Sequence, residues 1–260
     1  MQNNIFSGLF VGQNLITIKE VDSTNTFLKD LASNSKPLIE GTVIMAENQY
    51  AGRGQQQNGW YAEPGKNLTF SLLLKPHFLP ITAQFDLNRA ISLGVTDALE
   101  PMLGNKLKIK WPNDIYYGDY KLGGMLIENL IQGGQIKNAI IGIGLNVNQE
   151  SFPATLTNAI SIKQILQADY DLKTLLSEIC HCIEARYLNL KAGKIEVVRK
   201  AYLNRLYWVN ESKNFKTLAG KFLGTIKDVK ASGLLLVQNT RGEELEFNLK
   251  EIEFLNTIVH

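Results

Sequence analysis

The chain has 260 residues, of which 45% are hydrophobic and 20% charged, a composition typical of a globular protein with one substantial core and room for a small accessory domain. Its 27 basic and 25 acidic residues give a net charge of +2, which excludes the polyelectrolyte character of proteins that bind nucleic acids or membrane surfaces by charge alone. Because the chain starts without a basic, then apolar, leader and has no run of about 18 apolar residues, we expect a soluble cytoplasmic protein that acts on a small molecule or another protein.

The first clear element begins in the segment "VDSTNTFLKD". Asp22, Ser23 and Thr24 are residue types that cap helix N-termini, and the apolar side chains that follow recur at helical spacing. A helix is therefore predicted to begin near residue 24, with its free N-terminal amides directed at whatever lies there.

A polar, glycine-rich loop, "AENQYAGRGQQQNGW" (residues 46–60), lies between two predicted strands. The runs "GTVIMAENQ" before it and "NLTFSLLLK" after it are short, apolar and bounded by turn residues, as expected of buried strands. The loop carries a lone arginine, Arg53, between two glycines.

Further along the chain, residues 83–103 show helical periodicity, and residues 106–148 predict three strands joined by tight turns. The three predicted strands are "LKIKWPNDIYY", "KLGGMLIENLI" and "NAIIGIGLNVN". This order is typical of a mixed α+β sheet flanked by helices and not of alternating β-α-β units.

The C-terminal third changes character near residue 206. A helical pattern covers residues 172–205 without glycine or proline until Gly193, and then short strands alternate with the turns "LAG", "KASG" and "NTRG". We predict a first domain over residues 1–205 and a small β-barrel over residues 206–260.

The two cysteines lie inside the helical pattern. Cys180 and Cys182 flank His181, and a disulfide between residues two apart is geometrically unreasonable. A metal site there would lack further ligands. We interpret both cysteines as structural.

Four polar clusters fall at strand ends or at a helix start, where binding sites are commonly built. The histidines lie at positions 77, 181 and 260, outside these clusters, so neither a Ser/His/Asp triad nor a carboxylate–histidine metal site is indicated. The clusters are "DSTN" (22–25), "QYAGRGQ" (49–55), "KWPND" with "KLGG" (110–124) and "GIGLNVN" (142–148).

The clusters supply cations and amides in place of a nucleophile. Arg53 in its glycine loop presents a forked donor to a phosphate or carboxylate, and Lys121 before Gly-Gly presents a point charge. Two cations aimed at one position suit a reaction that joins two anions, such as attack of a carboxylate on the α-phosphate of ATP. Neutral donors and acceptors for a polar head group come from Ser23, Thr24, Asn25 and Gln49.

Each signal also has a simpler interpretation. A single Gly-x-Gly is commonly only a turn, and "DSTN" alone is a helix cap. Trp60 and Trp111 are typical packing residues, and Lys110 and Lys121 are typical solvated strand lysines. What favours a site is the order and spacing of the four clusters.

That order resembles the biotin protein ligases, a family that makes biotinyl-adenylate and passes biotin to a lysine of a carrier protein. The resemblance covers nearly the whole chain and implies the class II synthetase-like biotin–lipoate ligase fold with a C-terminal SH3-like barrel. Bifunctional members carry an N-terminal DNA-binding domain, whereas only about twenty residues precede "DSTN", too few for such a domain. We therefore expect the monofunctional type, without repressor activity.

The resemblance also implies roles for individual residues. Lys121 and Arg53 are the expected catalytic residues, and Asp114 is a candidate for orienting a lysine amine or a metal-bound water. Gly142 and Gly144 would let the backbone approach ligand closely. The expected biotin site comprises Ser23, Thr24, Asn25, Gln49, Gly52, Arg53, Gly54, Gln55, Lys121, Gly123 and Gly124. The expected ATP and adenylate site comprises Arg53, Gln55, Trp60, Lys110, Asn113, Lys121 and Asn146.

ATP and biotin are the implied substrates, with Mg²⁺ accompanying ATP; the metal ligands are not apparent in the sequence. The implied partner is a biotin carboxyl carrier domain of a carboxylase, and the implied assembly is a monomer or a homodimer. The chain departs from the family's common "GRGRRG" loop, since Gln55, Gln56 and Gln57 replace basic residues. We expect the loop to close over the adenylate and exclude water, but with less charge to retain it.

Two alternatives stay open. A lipoate ligase or octanoyltransferase has a related fold and an analogous lysine, although "GRGQ", "KWPND" and the C-terminal barrel favour biotin. The other alternative is a non-catalytic binding protein that senses biotin or docks a partner through its small barrel, and the presence of both Arg53 and Lys121 argues against it. ATP turnover separates the enzyme from the sensor.

Overall fold

The computed structural model describes residues 6–33, 38–55 and 58–255. In these ranges the larger sheet has seven strands in the order β1-β2-β3-β7-β6-β5-β4, with β1 and β2 parallel and the other neighbours antiparallel. The strands are β1 (Leu15–Val21), β2 (Val43–Gln49), β3 (Leu68–Leu74), β4 (Leu107–Lys110), β5 (Asp114–Tyr117), β6 (Tyr120–Gln132) and β7 (Gln135–Leu145). The helices are α1 (Thr24–Ser33), α2 (Gln84–Leu103), α3 (Ile162–Leu166), α4 (Leu172–Lys191) and α5 (Ile195–Asn204).

The two faces of this sheet are covered by different helices. Alternate residues of β3 point to opposite faces, so Leu72 packs in the main core with residues of α2 and α4, whereas Leu73 packs with Leu28 of α1. Every residue of β3 is buried, which explains its continuous apolar sequence. The α1 side has the smaller core and leaves part of the sheet uncovered for the cavity described below.

The segment "LKIKWPNDIYY", predicted as one strand, is two. β4 and β5 form an antiparallel pair in which Leu107 lies opposite Tyr117 and Lys110 opposite Asp114, with residues 111–113 as the turn. Pro112 explains the break, since proline cannot donate a hydrogen bond within a sheet. The span 106–148 therefore holds four strands where three were predicted, and β1 was not predicted at all.

The long helical pattern of residues 172–205 also divides. α4 ends at Lys191 and α5 begins at Ile195, with Gly193 between them at φ +76°. Glycine adopts this left-handed conformation with little strain and commonly ends a helix there.

Within the described residues, the smaller sheet has five antiparallel strands in the order β11-β10-β9-β8-β12. This sheet is consistent with the expected SH3-like domain. Residues of both sheets belong to one contiguous apolar cluster, and the boundary at residue 206 stays a prediction. The strands are β8 (Ser212–Thr217), β9 (Gly220–Val229), β10 (Leu235–Asn239), β11 (Glu244–Phe247) and β12 (Glu253–Phe254).

A buried arginine fastens the smaller sheet to α2. The Arg89 side chain is 1% exposed and forms an ion pair with Asp86, which is fully buried. Arg89 Nη2 also donates to the carbonyl oxygens of Val229 (2.6 Å) and Lys230 (2.7 Å) at the end of β9. Both carbonyl oxygens accept a charge-assisted hydrogen bond from Arg89, and that of Lys230 also accepts from the Gly233 amide (2.8 Å). Arg89 therefore makes the contact between α2 and the smaller sheet specific.

The same junction holds the turn between β4 and β5. Trp111 Nε1 donates to the carbonyl oxygen of Gly233 (2.9 Å), and the Tyr202 hydroxyl donates to that of Pro112 (2.8 Å). The turn is thus anchored by α5 on one side and by the smaller sheet on the other.

Both cysteines are free thiols. Cys180 is buried in the core, and burial raises the pKa of its thiol to about 12, so it stays protonated at neutral pH. No helix in the described part of the chain is long and apolar enough to cross a membrane.

Candidate active site

A cavity of about 230 Å³ lies on the α1 side of the larger sheet. The four polar clusters, which are far apart in sequence, meet there because β2, β3, β7, β6 and β5 are neighbours in the sheet. The lining residues that the sequence singled out are Ser23, Thr24, Asn25, Gln49, Arg53, Gly54, Gln55, Trp60, Asn113, Asp114, Lys121, Gly124, Gly142 and Gly144.

Glycines form the floor of the cavity. Gly124 of β6 lies directly opposite Gly144 of β7. Gly142 lies two residues earlier in β7 and therefore on the same face of the sheet. A Cβ atom at Gly142 would lie 2.4 Å from Asn25 Oδ1, and one at Gly144 would lie 2.3 Å from Trp60 Cε2. Glycine is therefore required for α1 and Trp60 to lie directly against the sheet.

One end of the cavity is a neutral hydrogen-bonding network. Gln49 Oε1 accepts from the Thr24 amide (2.8 Å), and the Ser71 hydroxyl donates to Asn25 Oδ1 (2.6 Å) and lies 2.7 Å from Thr24 Oγ1. Ser23, Thr24 and Asn25 are each 3% exposed. A buried set of hydroxyls and amides without net charge fits an uncharged polar head group.

The glycine loop folds back on itself as far as it is described. Arg53 and Gly59 form an isolated antiparallel bridge, and the Trp60 amide donates to the carbonyl oxygen of Gly52 (2.9 Å). A Cβ atom at Gly52 would lie 2.4 Å from the carbonyl oxygen of Trp60, so Gly52 permits the close approach of the two loop arms. Gln55 lines the cavity. Gln56 and Gln57 are outside the described residues, so the predictions made for them stay predictions.

Both predicted cations reach the cavity, each beside a carboxylate. Lys121 Nζ lies 2.8 Å from Asp114 Oδ2 and 6.0 Å from the centre of the Trp60 ring. Arg53 Nη2 lies 2.9 Å from Glu128 Oε2. The Lys121 and Arg53 side chains are 32% and 44% exposed, so both remain accessible to an anionic ligand.

Trp60 carries an unpartnered polar atom in this cavity. Its Nε1 is buried and has no hydrogen-bond partner among the described residues. A buried donor without a partner costs about 1–3 kcal/mol. A ligand acceptor placed beside the indole would remove this cost.

Four of the predicted residues do not line the cavity. Lys110 Nζ donates to the Tyr116 hydroxyl (3.2 Å) and lies 5.1 Å from the centre of the Phe254 ring; burial lowers the pKa of Lys110. Asn146 Nδ2 donates to the carbonyl oxygen of Ile160 (3.0 Å) and holds the chain beyond β7. The remaining two are Gly52 and Gly123.

Sequence reasoning missed several residues of the site. Ser71 is a fully buried polar residue inside the apolar run "LTFSLLL", and that mismatch was a usable signal. Leu249 reaches the cavity from the C-terminal part of the chain, and no local pattern marks it. Glu128 lies within β6, and nothing in the surrounding sequence distinguishes it from an ordinary polar residue of a strand.

Comparison with known proteins gives consistent results. A model of the Biotin/lipoate A/B protein ligase family matches residues 17–146. The bifunctional ligase/repressor BirA of Bacillus spizizenii is 31% identical over 235 residues, which are 89% of this chain and 71% of that protein. The biotin–[acetyl-CoA-carboxylase] ligase of Paracoccus denitrificans is 25% identical, with 88% and 95% covered.

Among solved structures, the biotin protein ligase from Aquifex aeolicus in complex with biotin and ATP matches with a TM-score of 0.77 and 28% identity. The match covers 94% of this chain and 100% of that chain. The family match spans the predicted site residues from Ser23 to Asn146 but not Leu249.

Proposed function

The chain belongs to the Biotin/lipoate A/B protein ligase family and is a biotin ligase enzyme, and from that premise we propose that it joins biotin to a lysine of a biotin carboxyl carrier domain. The reaction has two steps: adenylation of biotin by ATP, then transfer to the carrier lysine. The observation that carries the proposal is one cavity with a buried neutral hydrogen-bonding end and two accessible cations, Arg53 and Lys121.

In the first step, a biotin carboxylate oxygen attacks the α-phosphorus of ATP. A C–O–P mixed anhydride forms, and the bond between the α-phosphorus and the bridging oxygen breaks to release pyrophosphate. The ureido head of biotin would bind at Ser23, Thr24 and Gln49, which leaves the carboxylate directed toward the cations. Lys121 and Arg53 would offset the repulsion between the two anions and stabilise the charge that develops on the phosphate.

In the second step, the amine of the carrier lysine attacks the acyl carbon of biotinyl-5'-AMP. A C–N bond forms, the acyl C–O bond breaks to release AMP, and the proton lost by the amine passes to solvent water. Asp114, 2.8 Å from Lys121 Nζ, would orient the attacking amine once the ion pair with Lys121 yields to substrate.

The residues present fit a Mg²⁺ ion that binds mainly through ATP. No group of three or more His, Cys, Asp or Glu side chains able to hold a metal occurs in the described ranges. Asp114 is the carboxylate among the described lining residues, and Mg²⁺ commonly uses one or two carboxylates together with substrate phosphates and water. Asp114 would hold the ion, which would neutralise phosphate charge.

The proposal is tested by pyrophosphate exchange into ATP, with biotin, lipoate or octanoate supplied in turn. We expect exchange with biotin only, since the neutral end of the cavity supplies both donors and acceptors for a ureido ring. Exchange with lipoate or octanoate alone would assign the chain to the other branch of its family. Binding of biotin without exchange would identify a sensor and refute the enzymatic proposal.

Transfer is tested separately, with a carrier domain and radiolabelled biotin as reagents. We propose a carboxylase carrier domain as the acceptor, a monomer or homodimer as the assembly, and no transcriptional repression. Labelling of one lysine in the carrier, lost on its substitution by arginine, is the expected result. The absence of repression is tested by measuring whether the adenylate-loaded protein binds an operator DNA. We expect no binding.

The loop composition predicts weak retention of the adenylate. Replacing Gln55, a cavity-lining residue, with arginine adds a charged donor beside the phosphate and should lengthen the half-life of bound biotinyl-5'-AMP by about tenfold, since hydrogen bonds to charged groups contribute about 1.5–3 kcal/mol. The half-life is measured by chasing labelled adenylate with unlabelled adenylate.

The matched control is Gln55→Glu, which should shorten the half-life by charge repulsion. Equal half-lives for Gln55→Arg and the unmodified protein would show that the neutral loop is not what limits retention.

A further inference from the structure

One carboxylate connects the glycine loop to the neutral end of the cavity. Glu128 Oε2 accepts a hydrogen bond from Arg53 Nη2 (2.9 Å) on one side and from Asn25 Nδ2 (2.8 Å) on the other. Glu128 lies in β6, and its side chain is 23% exposed. It therefore stands between a loop cation and the helix start that borders the proposed biotin head site.

The Asn25 side of this arrangement is rigid. Asn25 is buried, its Nδ2 also lies 3.2 Å from the carbonyl oxygen of Leu126, and its Oδ1 accepts from the Ser71 hydroxyl. Gly142 leaves the space that the Asn25 side chain fills. The Glu128 carboxylate is thus held by the Asn25 side chain, which cannot move without disturbing α1 and β3.

On the other side of Glu128, the Arg53 side chain has room to change its conformation. The Arg53 side chain is 44% exposed. Its Nη1 lies 3.5 Å from Glu128 Oε1 and its Nη2 2.9 Å from Oε2, so the geometry of the pair is nearly bidentate. A guanidinium has five N–H donors, and the pair with Glu128 uses two of them. Among the described residues the Arg53 guanidinium makes no further hydrogen bond, so its other donors can bind an anionic ligand.

We propose that Glu128 is a positioning residue that holds Arg53 at the mouth of the cavity, ready for the adenylate. The inference rests on the proposed function for its ligand, and it adds a residue with no assigned role. Glu128 restricts the rotamers of a long, exposed side chain before the ligand arrives, which lowers the entropy cost of binding. It also links the position of the loop to Asn25.

An opposite role is chemically conceivable, in which Glu128 competes with the ligand for Arg53. The two roles predict opposite effects when the charge is removed. Positioning predicts faster loss of the adenylate, and competition predicts slower loss. The conservative variant Glu128→Gln separates them, because its amide oxygen still accepts from Asn25 while the ionic attraction for Arg53 is lost.

The experiment measures release of biotinyl-5'-AMP from Glu128→Gln. Release should be about fivefold faster than from the unmodified protein, the scale of a partly exposed ion pair, with the affinity for biotin alone changed less. In an Arg53→Met background, Glu128→Gln should add no further change. The control for loss of one negative charge is Glu47→Gln, at an exposed position of β2.

A second readout needs no ligand. Trypsin cleaves after arginine only when the side chain is free to enter the protease, so cleavage after Arg53 should be faster in Glu128→Gln than in the unmodified protein or Glu47→Gln. Unchanged cleavage, slower adenylate release, or an additive effect in the Arg53→Met background would overturn the proposal. Absence of biotin-dependent exchange in the unmodified protein would instead refute the proposed function and leave the cleavage result to decide the role of Glu128.

Discussion

Replacing Lys121 with glutamine is expected to slow biotin-dependent pyrophosphate exchange by about 100-fold or more, the effect typical of losing one charged or hydrogen-bonding group that stabilises a transition state, roughly 3 kcal/mol. Glutamine keeps polarity and part of the length but removes the charge that would bridge the carboxylate and the α-phosphate. The folded protein should tolerate the change, since the pair between Lys121 and Asp114 is about one-third exposed on both sides and such pairs contribute about 0–1 kcal/mol.

Two further measurements make this prediction specific to the first step. Transfer from chemically supplied biotinyl-5'-AMP to the carrier should fall less than exchange, because the bond to the α-phosphate has already formed. Lys137→Gln, at an exposed position of β7, is the charge-matched control and should leave exchange unchanged. Exchange by Lys121→Gln within about threefold of the unmodified rate, where RT ln 3 is below 1 kcal/mol, would contradict the role assigned to Lys121.

The parts of the site that could be predicted from sequence are those marked by local chemistry. A cap at Ser23 and Thr24, a lone arginine between glycines and a lysine before Gly-Gly are weak signals individually, but their order and spacing indicate a site without knowledge of the fold. The sheet then brings them together, and the close approach of Asn25 to Gly142 and of Trp60 to Gly144 shows why these two glycines are needed. The proline in "KWPND" was a sufficient signal for a turn, and the prediction of a single strand there gave the surrounding apolar alternation too much weight.

The parts that could not be predicted depend on pairing between distant segments. Glu128 looks like any strand residue until β6 is placed beside the loop that carries Arg53. Lys110 belongs to the right motif, but tertiary packing directs its ammonium group toward Tyr116 and Phe254. Leu249 enters the cavity only because the smaller sheet is docked. Such contacts are properties of the docked arrangement and leave no periodicity in the sequence.

The docked arrangement itself is testable at Arg89. Replacing Arg89 with methionine should lower the free energy of unfolding by about 3 kcal/mol, near the lower end of the cost of breaking a buried ion pair. The lower end applies because Arg199 Nη2 still lies 2.8 Å from Asp86 Oδ2 and keeps that buried carboxylate paired. What is lost outright is the bond to Asp86 and both bonds to the carbonyl oxygens of Val229 and Lys230. The Lys230 carbonyl keeps its bond from the Gly233 amide (2.8 Å), so the uncompensated loss falls on the buried carbonyl of Val229.

Urea denaturation, followed by circular dichroism, measures this change. Arg241→Met is the matched control, since that side chain is 78% exposed and its loss should change the free energy of unfolding by less than about 0.5 kcal/mol. If Arg89→Met cost less than about 1 kcal/mol, the junction would be held by apolar packing and not by the arginine.

A loss of the expected size should also weaken ATP binding, because the end of β9 leads to Gly233, whose carbonyl holds Trp111 at the cavity wall. A variant that is destabilised yet binds ATP normally would show that the Trp111 turn keeps its position without the docked sheet.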